Sequence, residues 1–248
     1  MLTGRLAAAV LPGVNPAITL KKGLQAAWNL TEASGDRADS YGAETLTDNN
    51  TVTGTTGPAS FVNASYFTAA NSESLSHADD AVLEVQTGSY AFCAWLNMTS
   101  LAGSGVAGII TKDDGSILRE YNIHFVASTS RLRHIVYNGI SSVVGVGTAS
   151  SLGTPATSTW YFILTWVDRT GNTVNIQVNN GPVDTSLLTG TPGASSNAFY
   201  IGARGDAVPS SFIDGAIAGV NLWKRGTPPT PRESRWLYNN GAGRKYPW

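Results

Sequence analysis

Residues 198–248 read AFYIGARGDAVPSSFIDGAIAGVNLWKRGTPPTPRESRWLYNNGAGRKYPW, and this stretch decides the fold. Alternating apolar residues predict a short strand at 199–201 and, after a Gly-rich loop, a longer strand over 213–222. A short helix is predicted over 230–239, because it opens with a T-x-x-E capping box and carries proline at its first position. The sequence therefore predicts a short strand, a longer strand and a capped helix in this order.

The interior of the chain carries the same strand periodicity. Residues 90–98 are apolar on both faces, which predicts a central strand covered on both sides. Residues 160–167 and 174–178 form a predicted hairpin, and the Asn138-Gly139 dipeptide predicts a tight type I′ turn. With turns about every 8–12 residues and no alternating helices, we expect an all-β fold. One short helix is expected near the C-terminal end.

Composition limits the partners. Hydrophobic residues make up 42% of the 248-residue chain, whereas 13% is charged and the formal net charge is -1. Nucleic acid or anionic lipid would require a basic stripe, and a membrane span would require about 20 apolar residues in a row. We therefore expect a soluble, unprocessed protein with no nucleic-acid or membrane partner. Cys93 is the single cysteine, so no disulfide forms within the chain.

The chain divides into an N-terminal arm, residues 1–22, and a domain over residues 23–248. The arm lacks a clean period and contains two prolines. Its apolar residues cannot form a core alone, so we expect them to pack either on their own domain or on a neighbouring subunit. The candidate assembly residues are Leu2, Leu6, Val10, Leu11, Val14 and Ile18.

Three motifs carry a resemblance to a known family. These are W-x-L-x-E-x-S-G-x-x-x-D-S-x-G over residues 28–42, the hairpin that ends in NNG at 179–181, and the last strand and helix. In this order they resemble the laminin-G-like domains of the concanavalin A-like lectin/glucanase superfamily. The resemblance implies a jelly roll, which is a two-sheet antiparallel β-sandwich, with one short C-terminal helix. A single copy of this size with an apolar arm resembles jelly rolls of tailed bacteriophages. That resemblance implies a virion surface protein, such as a head decoration or tail-fibre component.

The resemblance also bears on calcium. Many relatives hold one ion with an N-terminal loop and an acidic pair in the last strand, written D-G-x-I-D-E-V. Here residues 214–220 read DGAIAGV, so Ala218-Gly219 replaces that acidic pair. Asp36, Asp39 and Asp214 remain as candidate ligands for a cation that takes six to eight oxygens. We expect no cofactor, with structural calcium as the alternative.

Catalytic patterns are missing from the sequence. β-Glucanases of this superfamily carry paired carboxylates on one strand (E-x-D-x-x-E), because retaining hydrolysis needs two carboxyl groups close together. No such cluster and no G-x-S-x-G elbow occurs, and the histidines His77, His124 and His134 are isolated. We therefore expect a non-enzymatic protein. A polysaccharide hydrolase that uses carboxylates from distant strands is the remaining enzyme hypothesis.

Aromatic residues near strand ends are candidates for carbohydrate binding, because an exposed ring stacks on the face of a sugar. These are Tyr121, Tyr137, Trp160 and Trp223, while Trp28, Trp95 and Trp166 fall at core positions. The leading hypothesis is a virion surface protein that assembles through its arm with itself and with capsid or tail proteins. The alternative is a lectin-like module that binds cell-surface polysaccharide, secreted or displayed at a cell surface.

Overall fold

The computed structural model describes residues 14–101, 105–205 and 209–248, and it confirms an all-β sandwich. The strands are β1 (Leu24–Trp28), β2 (Thr47–Asn49), β3 (Thr53–Thr56), β4 (Asn63–Phe67), β5 (Ser74–His77), β6 (Tyr90–Met98), β7 (Val106–Asp113), β8 (Arg119–Val126), β9 (Arg131–Tyr137), β10 (Val143–Thr148), β11 (Trp160–Asp168), β12 (Thr173–Val178), β13 (Val183–Leu187), β14 (Phe199–Ile201) and β15 (Gly215–Lys224). The helices are α1 (Pro16–Lys21) and α2 (Pro231–Tyr238).

The strands form two sheets with antiparallel pairing between neighbours. The large, 8-stranded sheet has the order β13-β12-β11-β6-β15-β4-β3, and β1 pairs with the second half of β15. The small, 7-stranded sheet has the order β10-β9-β8-β7-β14-β5-β2. Strand β6 lies at the centre of the large sheet, between β11 and β15, and is buried along nearly its whole length. The prediction of a central strand there is confirmed.

A bulge in β15 lets one strand serve two partners on the same edge. The first half pairs with β4 through Ile217, and the second half pairs with β1 from Val220 onward. Gly219 lies between the halves at a φ of 59°, where a Cβ would come within 2.5 Å of the Phe61 ring. Only glycine fits this left-handed, crowded position without strain.

The main core lies between the sheets. Trp28 of β1 stacks on Phe199 of β14 at 5.3 Å, and both rings are buried, so they join the large sheet to the small one. The predicted packing positions are buried as expected: Trp28 in this core, and Trp95 and Trp166 in a second cluster on the outer face of the large sheet. Alternation along the strands supplies this layer, since every second side chain of a strand points to one face.

A second apolar layer covers the outer face of the large sheet. Trp95 of β6 stacks at 5.9 Å on Tyr238 of α2, and Trp223 of β15 stacks at 6.4 Å on Trp248 of the C-terminal tail. The Trp223 indole nitrogen donates a hydrogen bond of 2.7 Å to the backbone oxygen of Leu20 in α1. Two helices and the tail thus shield a face that would otherwise be exposed to water.

Helix α1 was not predicted from the sequence. It begins at Pro16, whose missing amide hydrogen is not needed there, and the Asn15 side chain accepts from the Ala17 amide. Leu20 is buried against the sandwich. The described part of the predicted arm therefore packs on its own domain.

Helix α2 matches its sequence prediction at the start and differs at the end. Thr230 and Glu233 form the predicted capping box, and Glu233 also forms two hydrogen bonds with Arg225, of 2.8 and 2.9 Å. The helix was predicted to extend to Asn239 but ends at Tyr238, and Asn239 is its C-cap residue in the left-handed conformation. Asparagine tolerates that conformation because its short side chain bonds locally.

The prediction of a tight turn at Asn138-Gly139 is wrong. Strand β9 ends at Tyr137 and β10 begins at Val143, so a longer loop joins them. The Asn138 side chain accepts hydrogen bonds from the amides of Ile140 and Ser142, which holds this wider loop together. Asparagine favours such local bonding as readily as the type I′ turn.

Candidate functional site

Three of the four aromatic residues predicted to bind carbohydrate are buried. The exposed fraction is 0% for Tyr121, 2% for Tyr137 and 1% for Trp223, so the prediction that their ring faces are available is wrong. Tyr121 points into the core and donates to the Leu83 oxygen, the Arg119 guanidinium lies over the Tyr137 ring, and α1 and the tail cover Trp223. Trp160 is the one that remains partly exposed.

Strand register places Trp160 in a row across the large sheet. Trp160 of β11 lies opposite Asn97 of β6, Asn97 lies opposite Ala216 of β15, and Ala216 lies opposite Tyr66 of β4. Residues opposite each other on neighbouring strands point to the same face. Because neighbouring strands are about 4.8 Å apart, the two aromatic residues are separated by about 14 Å at the backbone.

This row forms a groove, which we call the Trp160 groove. Its walls are the partly exposed rings of Trp160 and Tyr66, and its floor is Ala216 and Asn97. Its volume is about 140 Å³, and its remaining lining residues are hydroxyl-bearing: Thr55, Thr56, Thr99 and Ser158. An open groove of this size suits one or two sugar rings rather than the fully enclosed ligands that fill about 300–1,000 Å³.

The helical cover stops just before the groove. The next row along the same face holds Phe162 and Trp95, and Tyr238 of α2 packs on both rings. One row further, Trp160 has no such ring contact with α2 among the described residues. The groove is therefore the point where the apolar outer face of the large sheet comes to the surface.

In the part of the chain that the structure describes, Asn97 on the floor of the groove has an unpaired polar atom. The Asn97 Oδ1 atom is buried and has no hydrogen-bond partner among the residues that the structure describes. A buried oxygen without a partner loses roughly 1–3 kcal/mol relative to a bonded one, so a donor supplied by a ligand would be favourable. The residues that line the groove are uncharged throughout.

Sequence comparison identifies the fold family. Residues 63–230, more than half of the chain, match the Laminin_G_3 family model, described as the concanavalin A-like lectin/glucanases superfamily. The chain belongs to this superfamily. No curated protein matches the chain in sequence.

Solved structures share the fold of this superfamily member at low identity. Domain 4 of AbnA, a GH43 extracellular arabinanase from Geobacillus stearothermophilus solved with arabinotriose, is 16% identical with a TM-score of 0.57, covering 85% of this chain and 96% of that one. The ligand binding domain of botulinum neurotoxin serotype D, solved with N-acetylneuraminic acid, is 8% identical with a TM-score of 0.66, covering 91% and 52%. The binding domain of Paraclostridial Mosquitocidal Protein 1 is 10% identical with a TM-score of 0.66, covering 91% and 53%. The chain thus spans about half the length of the toxin binding domains.

Sequence reasoning missed the partners of Trp160 in the groove. Tyr66 lies in the short strand β4, and Asn97 lies one residue before the end of β6, the strand predicted to be covered on both sides. The alternation of side chains along each strand gives the face of the sheet on which each one lies. Only the pairing of β4, β15, β6 and β11 brings them into one row.

The three candidate calcium ligands of the superfamily do not meet. Asp36 accepts from the Asp48 amide, Asp39 from the Ala27 and Tyr41 amides, and Asp214 from the Ala69 amide. Across the described residues, no group of three or more His, Cys, Asp or Glu side chains is placed to hold a metal ion. Each of the three carboxylates stabilises a loop through backbone amides instead.

His134 takes part in a buried polar chain between the sheets. The Thr165 hydroxyl donates to the Asn175 oxygen at 2.7 Å, so it accepts from His134 Nδ1 at 2.6 Å. His134 Nε2 then accepts from the Tyr90 hydroxyl at 3.0 Å. Burial lowers the pKa of His134 to about 3, so the ring is neutral and its tautomer is determined by these bonds.

His124 belongs to a separate polar network on the outer face of the small sheet. Its Nδ1 lies 2.8 Å from Asn122 Oδ1, and Asn122 donates to Asp113 Oδ2 at 2.7 Å. Arg119 closes the network with two bonds to Asp113, of 2.7 and 3.0 Å. Burial lowers the pKa of His124 to about 4. Both histidines have structural partners, and neither contacts the Trp160 groove.

The predicted assembly residues fall in two groups. Leu2, Leu6, Val10 and Leu11 lie outside the described residues. Val14, which precedes α1, and Ile18, which lies within it, expose 63% and 59% of their surface. Beside them a cleft of about 550 Å³ runs between α1 and α2, lined by Val14, Pro16, Thr19 and Arg232 among others. Among the described residues, no helix is long and apolar enough to cross a membrane.

Proposed function

We propose that the protein is a non-enzymatic carbohydrate-binding domain whose Trp160 groove binds a neutral glycan. The observation that carries this proposal is the row of Trp160, Asn97, Ala216 and Tyr66 across four strands. Two aromatic rings flank a small residue and an amide on a rigid sheet. Rigid placement of binding groups limits the loss of conformational entropy when a ligand binds.

The chemistry of the groove matches a sugar. The Trp160 and Tyr66 rings offer apolar faces for the C–H face of a sugar ring, and the small Ala216 leaves room between them. Asn97 Oδ1 accepts a hydrogen bond from a sugar hydroxyl, and the threonine and serine hydroxyls around it both donate and accept. Such a site holds one or two residues of a polymer and leaves the rest free to extend along the surface.

The lining favours neutral sugars over acidic ones. An anionic sugar would bring its charge next to side chains that carry no compensating cation. Of the two neighbours solved with a carbohydrate, the arabinanase domain holds arabinotriose, a neutral sugar, and the neurotoxin domain holds N-acetylneuraminic acid, an acidic one. The neutral lining of this groove supports a ligand of the first kind.

The test is a binding screen with neutral and acidic oligosaccharides, followed by calorimetry on each hit. We expect Trp160→Ala and Tyr66→Ala each to weaken binding at least tenfold, since truncation of an aromatic anchor in a binding site commonly costs about 2 kcal/mol or more. Tyr41→Ala is the matched control, because Tyr41 is an exposed aromatic residue distant from the groove lining. Unchanged affinity in both groove variants, or binding to acidic sugars alone, would contradict the proposal. Release of reducing ends from a bound polymer would show that the protein is an enzyme.

We also propose that the protein assembles on a virion surface, because α1 presents apolar side chains to water. Val14 and Ile18 are exposed next to a cleft, and such groups commonly contact a second subunit. The proposed partners are a second copy of this chain and a capsid or tail protein. This setting follows from the resemblance to phage jelly rolls.

Light scattering on the full-length chain tests self-assembly. We expect a defined oligomer, and we expect Val14→Ser with Ile18→Ser to reduce it to a monomer. Val62→Ser is the control, because Val62 is a valine that is even more exposed and lies outside this cleft. A full-length chain that is already monomeric would refute self-assembly, and the glycan proposal would stand independently.

A further inference from the structure

Three ionisable side chains meet at one end of the sandwich interior. Lys112 Nζ lies 2.8 Å from Asp79 Oδ1 and 3.0 Å from Glu120 Oε2, and it also contacts the backbone oxygen of Ser195. The side chains of Lys112 and Glu120 are fully buried, whereas Asp79 is 33% exposed. This cluster is unrelated to the Trp160 groove and shares no residue with it.

Strand pairing puts the lysine inside the fold. Lys112 lies opposite Tyr121, whose ring is part of the main core, so the lysine side chain points between the sheets. The chain after β5 then covers this end and brings Asp79 onto the amine. Glu120 is held by the amides of Val85 at 2.5 Å and Ser195 at 3.3 Å. Backbone groups therefore position Lys112 and Glu120.

A buried salt bridge of this composition is costly in free energy. Two carboxylates face one amine, so the fully ionised cluster retains a negative charge in a buried site. Burial raises the pKa of Glu120, in the direction that favours its protonated form. Transfer of one proton within the cluster gives a neutral amine beside a carboxylic acid, and this removes one pair of opposite charges from the site.

We propose that Lys112 and Asp79 form an intramolecular amide bond, with Glu120 carrying the proton. The neutral Lys112 Nζ attacks Asp79 Cγ, and a C–N bond forms. The Glu120 carboxylate accepts a proton from that nitrogen and passes it to a hydroxyl on the tetrahedral carbon. The C–O bond breaks, the hydroxyl leaves as water, and the amide remains. One amine and one acid thus give one amide and one water, with no oxidant or cofactor.

The positions of the neighbours direct the attack. A neutral amine has two N–H groups and one lone pair. Ser195 O and Glu120 Oε2 accept the two hydrogens, which leaves the lone pair free toward Asp79. The distance of 2.8 Å from Nζ to Asp79 Oδ1 places the carboxyl carbon close to the 3–3.5 Å range from which bonds form. Partial exposure of Asp79 gives the released water a way out.

The mass of the intact, denatured full-length protein is the test. We expect a mass lower than that of the sequence by one water molecule. Cleavage after Glu84, which lies between the two residues in sequence, is expected to leave the two flanking fragments joined. Fragmentation of that product would then locate the bond between Asp79 and Lys112.

Variants distinguish the residue that forms the bond from the residue that carries the proton. Asp79→Ala should restore the full mass, while Asp80→Ala, its neighbour outside the ion pair, should keep the loss of water. Glu120→Gln should slow or stop the loss even though both reacting groups are present. A folded wild-type protein that keeps its full mass after prolonged incubation would overturn the proposal, and this measurement does not depend on any variant folding.

Discussion

The outer faces of the two sheets differ in polarity. On the large sheet that face is apolar, with Trp95, Phe162 and Trp223 covered by two helices and the tail. On the small sheet it carries the Asp113–Asn122–His124 network, whose members satisfy one another. An apolar face requires other parts of the chain to exclude water, whereas a polar face is stable when its hydrogen bonds are complete.

The difference explains where the candidate site lies. Helices α1 and α2 and the C-terminal tail cover only part of the outer face of the large sheet. Trp160 and Tyr66 lie outside the covered part and remain partly exposed. The small sheet has no comparable exposed ring pair in the parts of the chain described, because its network fills the face. A glycan site of the proposed kind therefore forms where an apolar face extends past its cover.

Removal of a covered ring should have the largest effect on stability. Trp223→Ala deletes a buried side chain, its stacking on Trp248 and its bond to Leu20, so we expect a loss of about 3–5 kcal/mol in the free energy of unfolding. Trp160→Ala, on the same face but outside the cover, should lose about 1–2 kcal/mol. Urea unfolding measures both. Equal losses would show that the cover does not distinguish the two positions.

On the small sheet, disruption of the polar network should be the next largest effect. Asp113→Ala leaves Arg119 and Asn122 without their shared acceptor, and we expect a loss of about 2–3 kcal/mol. Asp114→Ala is the control, since this half-buried neighbour accepts only from amides of its own turn. If the two variants unfold at the same denaturant concentration, the network contributes nothing beyond the turn.

The buried His134 should make stability depend on pH. Its pKa is about 3 in the folded protein against 6.5 ordinarily, so between these values the unfolded chain binds a proton that the folded chain excludes. Stability therefore falls as pH falls through this range, by about 1.4 kcal/mol per pH unit. His134→Gln should reduce the slope of unfolding free energy against pH by about this amount. An unchanged slope between pH 6 and 4 would mean that His134 is not neutral in the fold.

The smallest effect is expected at the helix that covers the large sheet. Thr230→Ala removes the cap of α2, whose hydroxyl accepts from the Glu233 amide, and should cost about 1 kcal/mol. Thr227→Ala, an exposed threonine in the same loop, should change the unfolding free energy by less than about 0.5 kcal/mol. A cap variant as stable as this control would indicate that packing alone maintains the helix.

Local patterns were sufficient for the elements themselves. Alternation in residues 90–98 and 160–167 predicted β6 and β11, and the capping box predicted α2, because these depend on neighbours in sequence. Helix α1 was missed, since six residues carry too little periodicity to be recognised. The loop at Asn138-Gly139 was misread because the same dipeptide serves several turns.

The sequence by itself determined the all-β class, the central strand and the capped helix, since alternation and capping act over a few residues. Only the tertiary structure decided which aromatic rings are exposed, because burial depends on what packs above a strand. It buried Tyr121, Tyr137 and Trp223, left Trp160 at the surface, and brought Tyr66 and Asn97 beside it. Lys112, Asp79 and Glu120 likewise meet only in the fold, because strand register joins residues that are distant in sequence.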